Sequence, residues 1–347
     1  MRIALVTETF YPATDGTTTP LKAVADRLVD TGHEVLIVAP GPGIASYRGS
    51  PVARVRPLEP VGAQVRTAID GFRPDLVHVT SPGPLGRKAL KHTRRRGIAS
   101  VVVEQGAALD VGADYWRAKV ADRTDAVLVT SSWMVGRMAE FGVTAQLWRP
   151  GVDTSAYTPA LRDSWLHESW SRTRSGDKVV VGYVGGLSKH HGVRRLPEVA
   201  SVPGARLVVV GAGPQREWLA AKAPGAKFVG PLQTGDLTIA LPSFDVLVHP
   251  GEHETCCHVL REAGASGVPV VAPRSGGATD VVRHLETGLL YDPGDPKDLR
   301  RAVAAVVADP YRSLLGRRAR ELARLRSWTD AVDELVAEHY ALGAGVR

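Results

Sequence analysis

The sequence predicts an α/β protein made of two doubly wound parallel-sheet halves. Three observations carry that expectation: short apolar runs without polar alternation, helical patterns between them, and a restart of the whole series past residue 150. A strand covered by helices on both faces needs apolar side chains at consecutive positions, which is the habit of parallel sheets. At 347 residues the chain exceeds one ordinary domain, and 44% apolar with 23% charged residues is globular composition. No stretch approaches the roughly 18 apolar residues that span a bilayer. The opening MRIALVTETFYP reads as a buried first strand and not as a secretory leader. The only cysteines, Cys256 and Cys257, are neighbours, which excludes a disulfide framework and points to a reducing cytoplasm.

The elements follow in order. Residues 2–6 (RIALV) form a strand, and 19–31 a helix with Leu21, Val24, Ala25, Leu28 and Val29 at helical spacing, stopped by Gly32. Strands follow at 34–39, 75–79, 100–104 and 126–130. After PGVDTSAYTP and a polar segment, a second series places strands at 179–184, 206–210, 226–229, 245–249 and 269–272. The domains expected are 1–155 and 156–325. A C-terminal segment, 326–347, contains an amphipathic helix at 327–342 with Val332, Leu335, Val336 and Tyr340 on one face. Two such halves imply a cleft, with ligands beyond the carboxyl ends of the strands.

The loops after strands are therefore where chemistry is expected. In TETFYPATDGTTTP, Gly16 follows Asp15, and Thr17, Thr18 and Thr19 are candidate N-caps. A glycine lets a ligand approach the backbone, and free amides at a helix start favour anions. VVVGAGPQREW holds Gly211 and Gly213, but Arg216 occupies the third position of a dinucleotide fingerprint and no acidic residue follows at the required distance. A tight turn fits better. The run RKALKHTRRR, 87–96, carries six Lys/Arg in ten residues; it reads as a solvated helix face or a contact for an anionic membrane surface or acceptor. It lacks the interleaved aromatics of a nucleic-acid site. The richest stretch is 246–282. There Glu254 is expected at a helix N-terminus, stabilised by the dipole, and Glu262 about two turns on, roughly 12 Å further along the axis. Ser275, Gly276 and Gly277 offer amides to an anion. His249, His253, Cys256, Cys257 and His258 match no usual zinc spacing, so no metal is expected.

GEHETCCHVLREAGASGVPVVAPRSGGATDVV resembles the E-x7-E signature of retaining family 4 glycosyltransferases, and ETFYPATDG, PGVDTSAYTP and GPLQTGDLTIAL stand in register with it. The resemblance covers nearly the whole chain and comes closest to actinobacterial α-mannosyltransferases that use GDP-mannose. It implies the GT-B fold, two Rossmann-like domains facing a cleft, with the acceptor held by the first, a nucleotide sugar by the second, and GDP or UDP as product. It implies that Glu254 contacts the sugar at its anomeric carbon and Glu262 the ribose hydroxyls. His253 lies in the same donor loop, and Cys257, His258 and Val259 present amides to sugar and diphosphate. Gly16 approaches the diphosphate, and Pro231 and Leu232 lie near the base. It further implies retention of configuration, no cofactor and no metal, and a C-terminal helix that crosses back onto the first half.

The chain departs from the family pattern where basic side chains are expected. YVGGLSKHHGVRRL has Gly186 in place of the usual Arg and His191 in place of the usual Lys. His191 is a substitute phosphate donor if protonated; Lys189, His190 and Arg194 are the other cations at hand. On the acceptor side the family often has a His, where this chain has Glu104 followed by Gln105, here assigned a catalytic place, and the segment 106–122 is short. That favours a soluble, natural-product or small-glycoside acceptor over a glycolipid. The rival readings are a transferase with an unusual donor in secondary metabolism and a nucleotide-binding protein that has lost turnover.

Overall fold

The computed structural model describes residues 1–13, 15–106, 111–174 and 176–341. The chain divides into two compact units, Met1–Pro150 with Trp328–Arg347, and Gly151–Ser327. Each is built on its own sheet.

The first unit holds β1 (Arg2–Thr7), β2 (Glu34–Pro40), β3 (Ser46–Tyr47), β4 (Ser50–Val55), β5 (Leu76–Thr80), β6 (Ala99–Glu104), β7 (Ala126–Val129) and β8 (Gln146–Leu147). Their order is β3-β4-β2-β1-β5-β6-β7-β8, and every pairing is parallel except the β3–β4 hairpin. Alternate side chains of β1 supply two cores, Ala4 and Val6 on one face and Ile3 and Leu5 on the other. The helix Thr18–Asp30 lays Leu21, Val24, Ala25 and Leu28 on the second face. Its start differs from the expectation. Thr17 sits at the N-cap without a side-chain cap bond, and the Asp15 carboxylate accepts from the Thr17 amide at 2.8 Å instead. A carboxylate reaches and charges that position better than a hydroxyl.

The end of the chain belongs to this first unit. The helix Trp328–Glu334 runs into a π-helical turn, Leu335–Tyr340. Ala331, Val332, Leu335 and Tyr340 are fully buried against the Ile3–Leu5 face. Tyr340 Oη lies 2.6 Å from His78 Nδ1, and Trp148 Nε1 donates to the Ala331 carbonyl at 2.8 Å. Burial pushes His78 down to about 3, so it is neutral at this contact. Residues 342–347, including the last residue of the expected amphipathic helix, lie outside the described residues.

The second unit carries a small hairpin after the helix Ser164–Ser171, β9 (Arg172–Thr173) and β10 (Gly176–Asp177). Its main sheet holds β11 (Val179–Val184), β12 (Ala205–Val210), β13 (Lys227–Gly230), β14 (Val246–Val248), β15 (Val270–Pro273) and β16 (Gly288–Tyr291). The order is β13-β12-β11-β14-β15-β16, all parallel. Val180, Val208, Val210, Leu247, Val270 and Ala272 face one core and Val181, Tyr183, Leu207, Val209, Val246 and Val271 the other. Asp245 fixes the amino end of β14 by accepting from the Val180 amide at 2.9 Å and from Arg162 at 2.9 Å.

Candidate active site

In the second sheet the chain leaves β11 for β12 and β13, then returns to β14 on the other side of β11. The strand order reverses between these two neighbours, and in open sheets of this kind the ligand crevice lies beyond their carboxyl ends. Three loops converge there, those after β11, β14 and β15. Gly192, at φ +68°, lies so close to the loop after β14 that a Cβ would stand 2.3 Å from the Pro250 carbonyl oxygen. Gly277 meets the same loop from β15: its amide donates to Glu254 O at 2.6 Å, and a Cβ would stand 2.3 Å from Thr255 O. Ser275 Oγ donates to Glu252 O at 3.0 Å. Gly211 and Gly213 act as backing: the Leu187 amide donates to the Ala212 carbonyl between them at 2.8 Å, so their turn supports the loop after β11.

Glu254 is the polar centre of these loops. His191 Nδ1 donates to Glu254 Oε1 at 2.7 Å, and His249 Nε2 lies 3.4 Å from the same oxygen. Burial opposes ionisation of Glu254, but the hydrogen bond from His191 and the nearby imidazole of His249 outweigh it and hold the carboxyl well below the usual carboxylate range. The bond to Glu254 pushes His191 up, against its own burial. The expectation that Glu254 sits on a helix start is corrected. The helix runs His258–Ala265, and its N-cap is Cys257, held at φ +50°. Three residues separate Glu254 from that first turn, so two imidazoles and not the helix dipole stabilise its charge.

Glu262 lies on this helix in a contrasting environment. Burial pushes its carboxyl up to about 7, with the Tyr157 hydroxyl donating to it and pulling the other way. Cys257 is buried, and burial pushes its thiol up, so it is no nucleophile. His258 and Val259 occupy the first turn, where backbone amides have no intrahelical acceptor. Gly186, Lys189 and His253 are exposed around the crevice. Pro231 is exposed after β13, and Leu232 packs partly into the core.

Gly16 and Gln105 fall in the first unit. Gly16 has open space around it, and Gln105 is buried directly after β6. Beside it Glu104 is raised by burial to about 7, with the amides of Gly106 and Gln105 acting against that. Glu8, after β1, accepts from the Gly86 amide at 2.9 Å and is also raised by burial. The part of the short acceptor-side segment at 107–110 lies outside the described residues. Sequence reasoning missed Tyr157, which stands 105 positions from its partner, and Tyr183. The Tyr183 ring stacks on His249 at 6.2 Å, and its hydroxyl donates to Gly186 O at 2.9 Å. The position of His249 at the end of a strand was the one available signal for that pair. Among the described residues, Glu334, Glu338 and His339 bring ligand atoms within 4.8 Å of one another, and these belong to the first unit.

Comparison with known proteins decides the family. Glycosyl transferases group 1 match residues 167–324, and Glycosyltransferase Family 4 matches residues 14–156. A GDP-mannose-dependent α-mannosyltransferase of Mycolicibacterium smegmatis is 35% identical over 100% of this chain and 99% of its own length. The chain belongs to glycosyltransferase family 4. A second enzyme of that description, from Mycobacterium tuberculosis, is 34% identical over 100% of this chain and 98% of its own. Among solved structures, sucrose-phosphate synthase from Thermosynechococcus elongatus gives a TM-score of 0.79 at 20% identity, covering 99% of both chains. HepE from Anabaena in complex with UDP gives 0.81 at 18% identity, covering 98% of this chain and 100% of that one. The fold of this glycosyltransferase is GT-B, as the sequence resemblance implies. None of its described helices is long and apolar enough to cross a membrane.

Proposed function

We propose that this glycosyltransferase moves a mannosyl group from GDP-mannose to a hydroxyl acceptor, with retained configuration and without a metal. The single observation that carries the reading is an ionised Glu254 at the β11–β14 switch point, four positions before the first turn of the helix His258–Ala265. The donor named for the full-length relatives from Mycolicibacterium and Mycobacterium supports GDP-mannose. Unit two, with the boundaries near 156–325, holds the donor, and unit one the acceptor.

In this reading Glu254 faces the anomeric carbon and favours the positive charge that develops there. The bond from that carbon to the diphosphate oxygen breaks, and the acceptor oxygen bonds on the same face. The acceptor proton passes to the departing diphosphate. Amides of Cys257, His258 and Val259, with His191 and Lys189, meet the diphosphate charge in preorganised positions. Gly16 and Gln105 belong to the acceptor-binding unit, Gln105 directly after β6. Glu262 bonds the ribose, His253 borders the sugar, and Pro231 and Leu232 border the base. The bare Gly186 leaves the room that the His191 ring fills.

The acceptor is a hydroxyl-bearing small molecule or a glycolipid. Relatives named for phosphatidylinositol mannoside acceptors support the second class. So does the helix Pro84–Arg96, whose Lys88, Lys91, Arg94 and Arg95 are exposed and suit an anionic membrane surface. The two buried free thiols fit a cytoplasmic setting. The test is product analysis by NMR with GDP-mannose and a mannoside acceptor. An α-linked product formed equally with and without chelator supports the reading. A β-linked product, or turnover lost with chelator and restored by divalent cation, overturns its stereochemical or metal-free part.

A further inference from the structure

We propose that His191 is a positioning residue whose ring is seated over the bare Cα of Gly186, gripping Glu254 with one nitrogen and turning the other toward the donor diphosphate. The proposal rests on the reading of Glu254 as the sugar-facing group. It makes Gly186 and His191 two halves of one substitution, not two separate losses of charge.

The packing shows the coupling. A Cβ at position 186 would stand 3.0 Å from His191 Cδ2 and 3.1 Å from Nε2, tighter than ordinary van der Waals contact. The ring therefore occupies space that any side chain at 186 would claim. The loop that carries it is pinned at both ends. Tyr183 Oη donates to Gly186 O at 2.9 Å, and Gly192 closes against Pro250 at the other end. His191 Nδ1 is committed to Glu254 Oε1 at 2.7 Å, and no described residue bonds Nε2. One nitrogen fixes the carboxylate, and the other is left as a donor when the ring is charged.

The groups that face the ring come from every neighbouring element. Glu254 and His249 come from the end of β14 and its loop, with His249 buried behind the carboxylate. His190, from the same loop as His191, meets it edge-on at 5.5 Å between centroids. Tyr183 of β11 is kept neutral because burial raises its hydroxyl. Lys189 is exposed beside the loop. One anion thus serves two imidazoles, and of these His191 lies nearer to it. The charge offered to the donor is one that can be lost near neutral pH, which a lysine or arginine charge cannot. Donor affinity is retained while the ring is charged and falls as pH rises through its raised titration point.

The test uses the full chain and two readouts. Imidazole NMR titration of His191 needs no donor. Glu254→Gln is expected to lower its midpoint by about one unit or more, and Gly186→Ala is expected to lower it in the same direction by displacing the ring. The second readout is GDP affinity and the KM for GDP-mannose between acid and alkaline pH. Wild type is expected to lose roughly tenfold in affinity across the alkaline limb, one pH unit beyond the midpoint. His191→Lys is expected to flatten that limb, and His191→Ala to remove it. An unmoved His191 midpoint in Glu254→Gln overturns the grip on the carboxylate. An alkaline limb that persists unchanged in His191→Ala overturns the role toward the diphosphate. Absence of GDP binding in wild type overturns the underlying function, while the titration still decides the Glu254–His191–Gly186 arrangement by itself.

Discussion

Glu254 and Glu262 are the same side chain in neighbouring stretches of sequence, and their surroundings drive them apart. Two imidazoles keep Glu254 ionised, whereas burial beside Tyr157 raises Glu262 to about 7. A group that stabilises developing positive charge must be an anion throughout the working pH range, and only Glu254 qualifies. Glu254→Gln is expected to cost about 10²–10³ in turnover while GDP affinity, measured calorimetrically, stays close to wild type. Normal turnover would remove Glu254 from the reaction. For Glu262 the pH dependence has a definite sign. Its carboxyl takes up a proton on folding between the ordinary 4.5 and about 7, so its contribution to stability is greatest at low pH and is lost as pH rises through that window. Glu262→Gln keeps the shape and removes the titration. Its Tm should exceed that of wild type at pH 8 and converge with it below pH 4.5. A constant difference across that range would mean the glutamate is solvated.

At the scale of elements, the strands were legible where both faces are buried, because consecutive Val, Ile and Leu admit little else. The central strands β1, β2, β5, β6 and β11 show this. The edge strands β3 and β8, and β4 next to β3, were not, since their short, partly polar sequences carry no distinctive pattern. The helix after Glu254 was legible in kind but not in position. Cys257 adopts a left-handed conformation that sequence does not announce, and it delays the first turn to His258. The bond between His191 and Glu254 spans 63 positions and depends on two loops meeting. What joins those loops is the absence of side chains. At Gly277 the atom in the way of a Cβ would be the Thr255 carbonyl oxygen, which is backbone and cannot swing aside. Gly277→Ala is therefore expected to destabilise the second unit by about 2–4 kcal/mol in urea unfolding and to abolish turnover through the displaced Glu254 loop. A stable, active variant would show that the β14 and β15 loops are not locked together.

At the scale of the whole molecule, the first unit is not a continuous segment of chain. It folds from residues 1–150 and is completed by 328–347 after the entire second unit has intervened. The closing segment is a structural part of the core: Val332, Leu335 and Tyr340 are each fully buried on the face shared with Ile3, Leu5 and Leu28. Full burial of such side chains contributes about 1.5–3 kcal/mol each, so the three together rival the roughly 5–15 kcal/mol that hold a domain folded. Removing the segment also strips His78 of its Tyr340 contact and Trp148 Nε1 of its acceptor, and buried polar groups left without partners cost a further ~1–3 kcal/mol each. A chain ending at Ser327 should therefore lose amide protection in β1, β2 and β5 by hydrogen exchange, while β11, β12 and β14 exchange as slowly as in the intact protein. Tyr340→Phe isolates the polar share of that loss: it keeps the ring, leaves His78 Nδ1 unmatched, and should lower the stability of the first unit by about 1–3 kcal/mol. Equal protection of β1 in the truncated and intact chains would show that residues 1–150 close their own core and that the returning helix only covers it.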